Sequence, residues 1–137
     1  MIMKTTVDIQ IRFADIDMLR HVNNVNLQHY FDLAKNKHFT EVIGVSPGYN
    51  SRSIITAATN TSYLGQTRVD DDIFVETSVE KVGNKSITLF QRIIARPSGE
   101  VRAESRSVMV TYDFEHQTSI PIPDEWREKL VASIEKE

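Results

Sequence analysis

Between Asn24 and Ile43 the chain spells a helix that is apolar around most of its circumference. Leu27, Tyr30, Phe31, Ala34 and Val42 recur at three- and four-residue steps. Val25, Leu33, Phe39 and Ile43 widen that face, leaving Gln28, Asp32, Lys35, Asn36 and Thr40 as the polar stripe. A helix lying on one flat surface buries a narrower stripe than this, so this one has to be wrapped by its partners. Gly44 is the natural C-cap, and Pro47-Gly48 blocks a restart.

The wrapping material lies on both sides of the helix. Val7, Ile9, Ile11 and Phe13 alternate with Asp8, Gln10 and Arg12, the pattern of a half-buried strand. Ser53 to Tyr63 is rich in β-branched residues and reads as a second strand. Ile73 to Glu80 alternates again, and the turn at Gly83-Asn84-Lys85 leads into Ser86 to Arg96. Pro97-Ser98-Gly99 closes another hairpin, and Val101 to Tyr112 returns as the last long strand. One strand, one long helix and four successive strands predict an α+β architecture, a helix on an antiparallel sheet, with residues 1–137 as a single domain. Trp126, Leu130, Val131 and Ile134, following Pro123, predict a short helix docked at the end.

Composition narrows the function. A formal charge of −3 over 137 residues supplies no field for nucleic acid. The absence of cysteine excludes a disulfide framework, a thiol nucleophile and thiolate metal sites. No apolar run approaches the ~18 residues of a membrane span, and the opening MIMKTTVDIQ has no signal-peptide core. The expected compartment is the cytoplasm. His21, His29, His38 and His116 form no i,i+4 pair and no evident cluster with carboxylates, so no metal is expected. His29 and His38 are expected on the surface of the helix or at an interface.

The chemistry gathers just before the helix, in Phe13 to Lys35, where Asp15 and Asp17 precede the run His21-Val22-Asn23-Asn24. A helix N-terminus presents unpaired N–H groups and the positive end of the helix dipole, which together can hold an anion or polarise a carbonyl. Read alone, Asp17 is either a cap for the segment entering the helix or a working carboxylate. Asp15, two residues earlier, faces the other way along an extended chain and reads as structural. His21 is an acid/base candidate by residue type and equally a brace for the loop. The side chains of Asn23 and Asn24 serve local capping, while their amides could face a ligand. Gly44 to Gly48 matches the G-x-S-x-G pattern of a nucleophile elbow, but that elbow requires a strand before the serine, and here a helix precedes it.

The order of strand, Asp17, three residues, His21 to Asn24 and a long apolar helix resembles the hotdog-fold thioesterases of the 4-hydroxybenzoyl-CoA and acyl-ACP type. The likeness extends to the strand ending in Tyr63, the turn Asp70-Asp71-Asp72, the turn at Val82 to Ser86 and the strand ending near Asp113. It implies a sheet wrapped around the central helix and hydrolysis of an acyl-CoA or acyl-ACP thioester without metal or organic cofactor. Asp17 would be the catalytic carboxylate, with His21 orienting it or water. The N–H groups near Asn23 and Asn24 would polarise the carbonyl, and Leu27, Tyr30 and Phe31 would line the acyl tail. It also implies a homodimer or dimer of dimers with sites at the interface. Many relatives carry Gly where this chain has Arg20, which stands either at the pocket rim or outward. Acyl-ACP enzymes often carry Asn where it has Leu19. The rival readings are a 3-hydroxyacyl dehydratase using Asp17 and His21 as an acid/base pair, and a silent acyl-CoA-binding protein.

Overall fold

The computed structural model describes residues 2–44 and 51–135. In chain order these form β1 (Thr5–Ile9), a 3-10 turn (Phe13–Asp15), α1 (Asn24–Ile43), β2 (Arg52–Tyr63), β3 (Asp72–Val82), β4 (Ser86–Arg96), β5 (Val101–Asp113), the two-residue β6 (Thr118–Ser119) and α2 (Asp124–Glu135). Every strand pairing is antiparallel, in the spatial order β1-β3-β4-β5-β2, with β6 beside the end of β5. This is the hotdog architecture, with α1 held against the concave face of the sheet.

Two apolar clusters run along α1. Leu27, Tyr30, Phe31 and Ala34 meet Ile73, Val75, Ile93 and Ala103. Farther along, Phe39 and Ile43 meet Val79, Ile87, Leu89 and Met109, closed from outside by Trp126 and Leu130 of α2. The wholly buried Gln91 sits on the same sheet, where its amide donates to the Phe31 carbonyl at 2.9 Å and to Thr77 Oγ1 at 3.0 Å. That amide ties the helix to β4 at one register, which apolar contact alone does not specify. At its end α1 is capped as expected, with Gly44 at φ 72° and its N–H on the Thr40 carbonyl at 3.0 Å.

Four expectations are corrected. The first strand stops at Ile9 and leaves Phe13 88% exposed, because Asp15 accepts the Arg12 N–H at 3.0 Å and turns the chain away from the sheet. Val25 and Leu33 face outward rather than widening the core. Lys35 is buried instead of lying on the polar stripe, and His38, expected at the helix surface or an interface, is wholly buried. The His38 Nδ1 lies 2.9 Å from Thr5 Oγ1 of β1, inside the seam where strand and helix meet. Val45 to Gly48 of the elbow-like pattern lie outside the described residues, and what precedes them is α1.

Candidate active site

The loop from Ile16 to Val22 is a closed unit. Its ends pair as an isolated antiparallel bridge, the Asp17 N–H donates to the His21 carbonyl at 2.9 Å, and the Arg20 N–H donates to the Asp17 carbonyl at 3.0 Å. Inside it, Asp17 Oδ1 accepts the Leu19 N–H at 2.9 Å and the His21 N–H at 3.4 Å. Such side-chain-to-backbone bonds are the ordinary work of aspartate in a tight turn. They consume one carboxylate oxygen. Among the described residues nothing bonds the other, Oδ2, and Asp17 lines a cavity. The turn requires Arg20 at φ 65°, in the left-handed region where Gly costs least. Its side chain is exposed and does not line the cavity.

Helix α1 begins immediately after this loop. Asn23 is its N-cap, the side chain accepting the Val25 N–H at 2.9 Å and the carbonyl taking Asn26 and Leu27 at 2.9 and 3.1 Å. The Asn23 N–H is itself engaged by the Asp15 carbonyl at 2.8 Å, which removes it as a donor to any ligand. The Asn24 N–H is left over. No partner for it exists among the described residues, and Asn24 shares the cavity with Asp17. Of the two amides named from sequence, only one is available.

The cavity, about 320 Å³, has Asp17, Val22, Asn24 and Leu27 on one side and Tyr63 to Thr67 on the other. The second wall is fastened to the first by the Val22 N–H, which donates to the Thr67 carbonyl at 2.7 Å. Arg102 holds the wall at both ends. Its carbonyl accepts the N–H groups of Leu64 and Gly65 at 2.9 and 3.1 Å, and its guanidinium reaches the Gln66 carbonyl and, at 2.8 Å, Asp71. A Cβ on Gly65 would come within 2.9 Å of Glu100 Oε1, a contact that the flexible Glu100 side chain relieves by moving aside. Burial acts to raise the Asp71 pKa, but the Arg68 N–H and the Arg102 guanidinium more than offset it and hold the carboxyl below its usual range.

The structure brings Asp17, Asn24 and Leu27 together and places the other named residues elsewhere. His21 does not line this cavity, and no group among the described residues hydrogen-bonds its imidazole. Phe31 is wholly enclosed in the core. Tyr30 lines a separate cleft with Asp15, to which its hydroxyl donates at 2.5 Å. Burial, then that bond, push the phenol pKa upward, so Tyr30 stays a donor. Asp15 is therefore a structural acceptor. The wall at 63–67 escaped the sequence reading because its contacts with the loop span more than forty residues.

Arg92, Arg96, Arg102 and Arg106 are each paired with carboxylates. The histidines do include one clustered member. His116 meets Asp113 and Glu115 on the turn after β5, where Asp113 Oδ1 accepts the Glu115 and His116 N–H groups and Oδ2 lies 2.6 Å from the imidazole Nδ1.

One cavity is thus lined both by a carboxylate that has an oxygen unbonded among the described residues and by the first residue of a helix N-terminus. Residues 11–130 match the family model described as the thioesterase-like superfamily, and the chain belongs to that family. It is a thioester hydrolase. A predicted thioesterase from Bacillus stearothermophilus superposes with a TM-score of 0.87 at 27% identity, covering 96% of this chain and 97% of that one. A thioesterase from Thermus thermophilus, complexed with coenzyme A and Zn, gives 0.80 at 26%, over 91% and 95%. The long-chain acyl-CoA thioesterase FadM of Escherichia coli K12 is 23% identical over 92% of this chain and 96% of its own. The dehydratase and silent-binder readings are not favoured by these likenesses.

Proposed function

We propose that the chain hydrolyses acyl-CoA thioesters, with Asp17 as the catalytic carboxylate and the Asn24 N–H as the oxyanion donor. The observation that carries this reading is that one cavity is lined by both Asp17 and Asn24, whose Oδ2 and N–H have no partner among the described residues. The thioester carbonyl oxygen takes the Asn24 N–H, which strengthens as negative charge develops on that oxygen. Asp17 Oδ2 either removes a proton from water as it attacks the carbonyl carbon, or attacks the carbon itself to give an anhydride that water then opens. In both routes the new C–O bond replaces the C–S bond, and the departing thiolate is protonated. His21 acts through the loop, its N–H and carbonyl bracing Asp17. Coenzyme A as the thiol is supported by a related thioesterase that is a complex with it, and nothing comparable favours a carrier protein. The functional unit is proposed to be a dimer.

Asp17→Asn tests the assignment. It keeps the size and the bonds to Leu19 and His21 while removing the charge, so thiol release from acyl-CoA falls at least ~10²-fold, the low end for general-base catalysis, with the circular dichroism spectrum unchanged. A folded Asp17→Asn protein with near-wild-type turnover moves the chemistry to another residue.

A further inference from the structure

Two clefts open along one seam between α1 and β2, and a polar bridge divides them. The first is the Asp17 cavity, which takes Asn24 and Leu27 from the start of α1 and Tyr63 from the end of β2. The second, about 250 Å³, takes Asp32, Lys35 and Phe39 from farther along α1, Ile54 and Thr56 from the start of β2, and Met109 from β5. The two elements run past each other in opposite order, so one track passes from the first cleft to the second. Gln28 stands on that track. It follows Asn24 by four residues and precedes Asp32 by four, which places it on the same stripe of the helix. Its amide nitrogen donates to Thr61 Oγ1 at 2.7 Å and to the Tyr63 hydroxyl at 3.1 Å, both on β2. Thr61 is in turn bonded to the buried Ser105 at 2.9 Å, and Thr59 to the buried Ser107 at 3.3 Å. The floor between the clefts is therefore hydroxyl and amide, not hydrocarbon.

We propose that the bridge from Gln28 to Thr61 and Tyr63 is the end wall of the acyl site and makes this chain selective for short acyl groups. The inference rests on the hydrolase reading of the Asp17 cavity. One helical turn, about 6 Å, separates the Asn24 N–H from the wall, so a short acyl group fits between them. A long alkyl tail would have to part the bridge and leave the Gln28 amide and the Thr61 hydroxyl facing methylene groups, which opposes its binding. Gln28 is a specificity-determining residue and touches none of the reacting atoms. Beyond it, the apolar floor of the second cleft, Phe39, Ile54 and Met109, is space that a longer chain reaches only when the wall is removed.

The test is a series of saturated acyl-CoAs from acetyl to palmitoyl, with kcat and KM measured separately. For the wild-type chain kcat/KM is expected to be highest for short members and to fall with length. In Gln28→Ala the ratio of long-chain to short-chain kcat/KM is expected to rise at least about tenfold, carried by a fall in the long-chain KM. Thr61→Ala cuts the same bridge from the sheet side and is expected to shift the ratio the same way, which covers a Gln28→Ala protein that does not fold. Calorimetric binding of the series to Asp17→Asn, alone and combined with Gln28→Ala, reads the wall without turnover. If no member is hydrolysed yet binding weakens with length until Gln28 is replaced, the hydrolase reading fails and the wall stands. A wild-type preference for palmitoyl-CoA, or a length profile unmoved by both variants, overturns the wall.

Discussion

Two residues carry their peculiarity in the backbone or in burial rather than in chemistry. Arg20 occupies φ 65° and its side chain is exposed beside, not in, the cavity. A glycine at this position would answer to the turn and not to the pocket. Arg20→Val should lose about 1–2 kcal/mol in urea unfolding, because a β-branched residue is disfavoured in the left-handed region, whereas Arg20→Gly should stay near wild type in both stability and KM. His38 is a matter of solvation. Burial lowers its pKa from the ordinary 6.5 to about 4, and Nε2 has no partner among the described residues. The folded state thus keeps the imidazole neutral where the unfolded chain protonates it. Unfolding is then favoured as pH falls below 6.5, at up to ~1.4 kcal/mol per unit, and the effect levels off below about 4, a loss of order 3 kcal/mol. Urea midpoints at pH 7.5 and 5.0 should show this slope in the wild type and a flatter one in His38→Gln. An equal slope in the two would mean that other groups set the acid limit. Sequence alone placed His38 outside, since a helix wheel ranks residues by polarity and cannot see the strand that covers one.

At the scale of the element, the start of α1 is both a structural joint and the proposed oxyanion site. Removing the cap by Asn23→Ala should cost about 1 kcal/mol, and it should also lower kcat, because the first turn that orients the Asn24 N–H is loosened. Asn23→Ser, which can still accept the Val25 N–H, should recover both. Unfolding midpoints that drop while kcat holds would separate the joint from the chemistry. Helix α1 and strands β2 to β5 were legible because their signals are local: a cap, a period and the turn residues between hairpins. The end of β1 was not, since alternation through Phe13 continues past the point where Asp15, bonded to Arg12 and Tyr30, redirects the chain. The cavity was half legible. Asp17, Asn24 and Leu27 lie within ten residues of one another, whereas the opposing wall arrives through the Val22 to Thr67 bond.

The whole molecule ends in two unequal sheet edges. Strand β1 is five residues long, while β2 has twelve, pairs among the described residues only with β5 and contains neither proline nor lysine. A long open edge without such blocks is a template for another strand. Around it stand exposed apolar side chains, Met18 at 98%, Leu19 at 73% and Leu64 at 56%, on the loop and wall that border the Asp17 cavity. Water covers such a patch poorly, and a second copy placed edge to edge along β2 would cover it while repeating the strand pairing about a two-fold axis. The proposed dimer would then close each Asp17 cavity with residues of its neighbour, so dilution should reduce activity together with mass. Sedimentation equilibrium across nanomolar to micromolar concentrations, with hydrolysis followed on the same samples, should show specific activity tracking the dimer fraction. Hydrogen exchange should find alternate β2 amides, those turned away from β5, protected only in the dimer. A monomer at micromolar concentration with full specific activity would leave the edge bare and the site complete within one chain.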